Sequence, residues 1–141
     1  MQRNAAVLNM VLRIFLRVIT QSLSAHCPGA ANIDRAVLHT GAVAIIHRFC
    51  SGLNERLHFH VCVVAGPFED LAGGVLFHPA LGIEPDAVVQ VQATFRRRIL
   101  RAFVGRGLLE SFESKEMLAN KNSGFSVHAA LCIEAHDRAA P

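Results

Sequence analysis

Two histidines separated by one apolar residue, His58 and His60, are the side chains of this sequence best spaced to do chemistry. Successive side chains of a β-strand alternate faces, so both imidazoles project from one side while Phe59 faces the core. Imidazole binds divalent metal ions, and two imidazoles on one face make half of a metal site. Because such a pair is open and weak, a third ligand would have to come from elsewhere. The alternative is that both are partly solvated sheet histidines that bind nothing.

An arginine cluster is the second group with a chemical use. The net charge is only +3, but five arginines fall close together in the sequence: Arg96, Arg97, Arg98, Arg101 and Arg106. A local basic patch of this kind favours contacts with phosphate groups. The alternative is that three of them, Arg97, Arg98 and Arg101, form only the solvated face of an amphipathic helix.

The composition excludes several classes of protein. A chain of 141 residues that is 52% apolar can bury a core and is not disordered. Its four cysteines are far apart and none has Cys-x-x-Cys spacing, so neither a zinc ribbon nor a dense disulfide framework is expected. We expect them to be buried, reduced thiols of a cytoplasmic protein. The sequence contains no tyrosine, and therefore no phenol group.

The N-terminal apolar segment, Ala5 to Ile19, is interrupted by Arg13 and Arg17. It is too short and too charged for a membrane span or a signal sequence, so we expect a soluble chain with no membrane partner. Polar residues recur there every three or four positions, which predicts an amphipathic helix over residues 5–25. Proline and glycine at positions 28 and 29 end that helix, and the stretch up to Thr40 is expected to be loop.

The histidine pair lies on the second strand of a predicted hairpin. Two β-rich runs, which begin at Gly41 and Leu57, flank a polar turn at residues 51–56. Pairing of Cys50 with Leu57 would place His47 across from His60 on the same face of the sheet. His47 is therefore a further candidate metal ligand.

The rest of the sequence alternates between loops and short elements. Residues 67–84 are expected to be loop with at most one strand, and a helix is predicted from Pro85 to about Val104 because proline suits a first helical turn. A short helix over 114–119 and an alternating, half-buried strand over 125–133 follow. The remaining histidines are expected on the surface: His26, His39, His78, His128 and His136. The prediction is one α+β domain over residues 1–141, an antiparallel sheet that carries the histidine strand, with helices packed on it.

The amino-acid sequence around the two histidines resembles that of the rolling-circle insertion-sequence transposases. These are two-tyrosine members of the His-hydrophobic-His endonuclease superfamily. The similarity covers nearly the whole chain, at residues 12–19, 41–64, 92–103 and 124–138. It implies that His58 and His60 hold Mg²⁺ or Mn²⁺ against the scissile phosphate of single-stranded DNA, while a tyrosine attacks phosphorus. It also implies DNA contacts by Arg97, Arg98 and Arg101.

The sequence departs from that family at several points. The family's tyrosines would lie beyond the last residue of this chain, and nothing corresponds to its N-terminal zinc module, so we expect a truncated transposase domain without nicking activity. Arg56 stands where a histidine is common, and it either repels the metal or clamps a phosphate. Ala65 stands where an aspartate is usual.

Three functions remain open at this stage. The first is a fragment of a transposase that nicks and rejoins single-stranded DNA, and the second is a residual basic module that binds DNA without catalysis. The third is a metal-dependent hydrolase that uses water, which would need a carboxylate near His58. Glu55, Glu69 and Glu134 are the candidates for that carboxylate.

Overall fold

The computed structural model describes residues 2–49, 55–120 and 126–129, with backbone alone at 2–4, 47–49 and 55–57. The chain divides into two compact units, Met1–Ile83 and Glu84–Pro141, and each is described by itself. The described residues form helices and antiparallel sheets, which confirms the predicted α+β class. The expectation of a single domain stays a prediction.

The first unit begins with helix α1, Gln2–Ala25, as the polar stripe predicts. Its buried side chains include Leu8, Val11 and Val18, which recur at helical spacing on one face. The helix ends before Pro28, whose missing N–H and ring disfavour continuation, and Cys27 is already extended. The predicted loop beyond it contains two 3-10 turns, Pro28–Ala30 and Arg35–Val37, and the short strand β1, Leu38–His39.

By length and composition alone, the segment Ala5–Ala25 of α1 is apolar enough to cross a membrane. Core helices of soluble proteins and N-terminal signal sequences have the same composition, so this property does not distinguish among them.

Strands β2, Ala42–Phe49, and β3, Glu55–Val63, form the predicted antiparallel hairpin, but the predicted register is wrong by two residues. His47 pairs with His58, and Ile45 pairs with His60. The register shifts between His47 and Phe49, where one residue of β2, Arg48, lies opposite two of β3, Arg56 and Leu57, so a register extended from a regular turn does not hold along the strands. His47 thus lies directly opposite a histidine of the pair, as predicted, but opposite His58 instead of His60. Cys50 lies outside the described residues.

A second sheet replaces most of the loop predicted over residues 67–84. Strands β4, Phe68–Leu71, and β5, Gly74–Phe77, form a tight hairpin, and β1 pairs with the other edge of β4. Ala72 and Gly73 form the two-residue turn, and Gly74 is already the first residue of β5, paired with Leu71. Across the hairpin the Phe68 and Phe77 rings lie 5.0 Å apart between centroids, a cross-strand aromatic contact.

The second unit contains the two helices predicted after Pro85. Helix α2, Pro85–Gly105, buries Phe95, Ile99 and Leu100, and α3 spans Ser111–Ala119. Gly107, with φ +64°, ends α2 through backbone bonds back to its last turn. The predicted strand over 125–133 is absent at residues 126–129, where the Val127 N–H donates to Gln92 Oε1 at 3.0 Å instead of to a strand. The remainder of that prediction lies outside the described residues.

Candidate functional site

Strand β3 presents the histidine pair on one face of the hairpin. The His58 and His60 rings lie 4.7 Å apart between centroids, tilted by 55°, and both side chains are exposed. Their neighbour Phe59 is half-buried on the opposite face, as the alternation predicts. The pair is therefore preorganised side by side by the strand itself, with both rings accessible to a ligand.

Apolar side chains surround the pair on the same face. Directly opposite residues of paired strands share a face, so Ile45 accompanies His60 and Val43 accompanies Cys62. Val43 is 67% exposed and Ile45 57% exposed, which is unusual for β-branched side chains at the centre of a strand. Cys62 is also exposed, so the expectation of buried cysteines is wrong at this position, because β3 turns it toward the open face.

A third metal ligand is not found among the side chains that the structure describes. No three of their His, Cys, Asp and Glu groups are placed to hold one ion. The His47 backbone lies opposite His58, while its side chain, like that of Arg56 two residues before His58, lies outside the described set. The metal site and its ligands stay a prediction.

One candidate carboxylate is engaged elsewhere. Glu69, on β4, accepts a hydrogen bond from Nε2 of His78 at 2.8 Å. Glu134 lies outside the described residues, and Glu55 is described as backbone, paired with Phe49. The water-using hydrolase therefore has no carboxylate beside the histidine pair among the described side chains.

His78 is buried, with 9% of its surface exposed, so its expected surface position is wrong. Its backbone N–H donates to the Pro67 carbonyl at 2.9 Å, and its own carbonyl accepts from the Cys27 thiol at 3.5 Å. These bonds draw His78 inward between the end of α1 and the second sheet. Burial raises the pKa of the Cys27 thiol, so Cys27 is a poor nucleophile and acts as a structural donor.

The arginine cluster divides into side chains with different roles. Arg96 reaches across to α3 and donates through Nη2 to the carbonyls of Met117 and Asn120 at its C-terminal end. It thereby satisfies carbonyls that have no partner within the helix. Arg98 is half-buried and does not line the groove between α2 and α3. Arg96 is thus a structural link between the two helices.

Arg97 and Arg101 lie one turn apart on α2 and line a groove of about 430 Å³ between α2 and α3. Lys115, Ser111 and Ser114 line the same groove from α3, and none of its lining residues is acidic. The two arginines are recognisable in the sequence as part of a basic cluster, whereas the three α3 residues are not. Their place in the groove depends on how the two helices pack, and the only local signal for it is the position of a short helix.

Comparison with known families matches residues 41–140 to the family described as "Putative transposase". The match begins at the residue before β2 and includes the histidine pair and the helices of the second unit. No curated protein and no solved structure matches the chain.

Proposed function

The chain belongs to the Putative transposase family, and we propose that it acts in rolling-circle transposition, where it binds single-stranded DNA and holds a divalent ion through His58 and His60. The observation that carries this proposal is the side-by-side placement of the two exposed imidazoles on β3, 4.7 Å apart between ring centroids. Solvated sheet histidines with no ligand explain the spacing equally well, but they do not explain a family match that spans both residues.

The two imidazoles fit part of a coordination shell. Both rings project from one strand face, and a divalent ion held between them would polarise a phosphoryl oxygen of the DNA. Nitrogen ligands favour Mn²⁺ over Mg²⁺, because Mg²⁺ prefers oxygen donors and keeps its water. We therefore expect Mn²⁺ to be the better probe of the site. The third protein ligand, which His47 would supply, belongs to the proposal.

The surroundings suit a polymer more than a small metabolite. Among the described residues, Val43 and Ile45 beside the pair are largely exposed, so these side chains do not enclose a small-molecule pocket. Exposed apolar side chains next to a phosphate-binding centre are suited to contact the bases of an unpaired strand. This supports single-stranded DNA as the partner, with the cytoplasm as the place of action.

A paramagnetic probe tests the metal site directly. Addition of substoichiometric Mn²⁺ should broaden the imidazole NMR signals of His58 and His60 first, because relaxation enhancement falls steeply with distance from the ion. The double variant His58→Ala/His60→Ala should bind Mn²⁺ at least tenfold more weakly, since it removes both described ligands. His128→Ala, which removes an exposed histidine of the second unit, is the matched control. Equal broadening across all exposed histidines would refute the proposal.

A second candidate function, DNA binding without catalysis, is favoured by the basic groove on α2 and α3. It predicts binding of a single-stranded oligonucleotide that is unchanged by EDTA and by His58→Ala/His60→Ala. The transposase proposal predicts that Mn²⁺ strengthens this binding. Anisotropy titrations with and without Mn²⁺ distinguish the two.

A further inference from the structure

We propose that the groove between α2 and α3 holds a backbone phosphate of the DNA strand, with Arg97, Arg101 and Lys115 as its cationic partners. The proposal rests on the proposed function for the nature of the strand, but the groove is a different site from the histidine pair. It assigns a role to Lys115 and to two serines that the sequence pattern did not single out.

The charges of the groove are concentrated and lack an internal partner. Arg97 and Arg101 stand at i and i+4, where side chains of a helix are neighbours and like charges repel. Lys115 adds a third positive charge from the facing helix. Within the described ranges no carboxylate pairs with any of the three, and Arg97 bonds only to the Thr94 hydroxyl, at 3.4 Å. A bound anion would relieve this repulsion.

Hydrogen-bond donors accompany the charges. Ser111 and Ser114 line the groove from α3, and Ser114 is buried, with 9% of its surface exposed, so each brings a hydroxyl-bearing side chain to this wall. Guanidinium groups bind phosphate through paired N–H donors, and a lysine adds a point charge. Two guanidinium groups, one ammonium and two hydroxyls form a donor set suited to the oxygens of one phosphodiester.

The N-terminus of α3 is not the source of this site. A capping box already satisfies two backbone donors there: the Glu113 carboxylate accepts from the Glu110 N–H at 2.9 Å, and the Glu110 side chain accepts from the Glu113 N–H. The anion-binding capacity therefore comes from the side chains of the groove. Arg96 holds the two helices together, so the groove exists before any ligand arrives.

Salt dependence of oligonucleotide binding measures the number of phosphate contacts. Anisotropy of a labelled oligo(dT) in EDTA, from 50 to 200 mM NaCl, gives a slope of log K against log salt of about −0.7 per phosphate contact on a single strand. Because both arginines bind the same phosphate, Arg97→Gln/Arg101→Gln should make the slope shallower by about 0.7. Over this fourfold range of salt, the loss of affinity should be about 2.6-fold smaller for the variant than for the wild type.

The control is Arg13→Gln/Arg17→Gln, which removes the same charge from two exposed arginines one turn apart on α1, outside the groove. A second test is Ser111→Glu, which adds a carboxylate where α3 begins. An acid there suits the helix dipole, so the fold should persist while the affinity falls at least threefold. Circular dichroism melts confirm the fold of each variant.

The outcomes separate this proposal from the metal site. Equal loss in the control and groove variants, or no oligonucleotide binding by the wild-type chain at 50 mM NaCl, would overturn the groove as a phosphate site. Strong competition by millimolar inorganic phosphate would show a free anion as the ligand and would also count against the DNA strand. The Mn²⁺ broadening at His58 and His60 is measured without DNA, so its failure leaves the groove result intact.

Discussion

Substitution of Gly66 is the sharpest test of how the histidine strand joins the second sheet. Gly66 has φ +153°, a backbone conformation that residues other than glycine rarely adopt. A Cβ atom there would lie 2.0 Å from the His78 carbonyl oxygen, so the contact would have to lengthen to at least 3.0 Å. The backbone fixes the positions of both the Cβ atom and the carbonyl oxygen, so no side-chain rotation can relieve the overlap.

The cost of Gly66→Ala is the sum of two effects. Backbone strain at positive φ costs about 1–3 kcal/mol. Displacement of the His78 carbonyl also weakens the bond that it accepts from the Cys27 thiol, which is worth about 1 kcal/mol. We therefore expect the free energy of unfolding to fall by about 2–4 kcal/mol, a large share of the stability of a small protein. Urea denaturation followed by circular dichroism measures this change.

Two other glycines separate strain from overlap. Gly74 has φ +149° with no atom within 4 Å of its would-be Cβ, so Gly74→Ala should show the strain alone, about 1–2 kcal/mol. Gly73 has open space and no positive φ, and Gly73→Ala should be neutral or stabilising by up to about 1 kcal/mol. If Gly66→Ala proves no more destabilising than Gly74→Ala, the close approach to His78 is not a constraint on the fold.

Arg96, the Cys27 thiol and the absence of tyrosine each lead to a further prediction. Arg96→Gln should lower the free energy of unfolding by about 2 kcal/mol, since charge-assisted bonds to the Met117 and Asn120 carbonyls are lost, whereas Arg98→Gln should change it by less than about 0.5 kcal/mol. Because burial raises the pKa of the Cys27 thiol from its ordinary 9.0, the folded chain keeps a proton that the unfolded chain releases. Stability should therefore decline as the pH rises above about 9, and Cys27→Ala should flatten that decline in urea titrations. Finally, a chain without tyrosine should form no covalent adduct with a labelled oligonucleotide in Mn²⁺; any protein–DNA adduct that survives a denaturing gel would show that another residue attacks phosphorus.

The sequence predicts best those helices and strands whose hydrophobic pattern repeats over many residues or whose first residue is marked by a proline. Helix α1 follows its polar stripe, and α2 follows Pro85, because amphipathic spacing and a first-turn proline are local signals. The alternation of β3 likewise predicts that His58 and His60 share a face, and their ring contact agrees. These features need no knowledge of what the chain packs against.

What the sequence does not predict depends on contacts between distant segments. The register of the hairpin includes a bulge next to Phe49, and no glycine at the bulge reveals its position in the sequence. The burial of His78 depends on bonds to Glu69 and to Cys27, the latter 51 positions away. Lys115 joins the arginines because α3 folds back beside α2. Such placements follow from packing, which single-residue propensities do not encode.

On the proposed function, metal and DNA must strengthen each other's binding at the histidine pair. Two imidazoles leave most positions of a divalent ion to water or to other ligands, so the ion alone should bind weakly. A phosphate oxygen that fills one of those positions adds a ligand and a negative charge, and reciprocity then requires the ion to raise DNA affinity by the same factor. The groove should lack this coupling because its ligands are fixed cations. Comparison of Mn²⁺ affinity with and without oligo(dT), in the wild type and in Arg97→Gln/Arg101→Gln, tests this. An enhancement factor of one in the wild type would mean that the histidines and the phosphate do not share the ion.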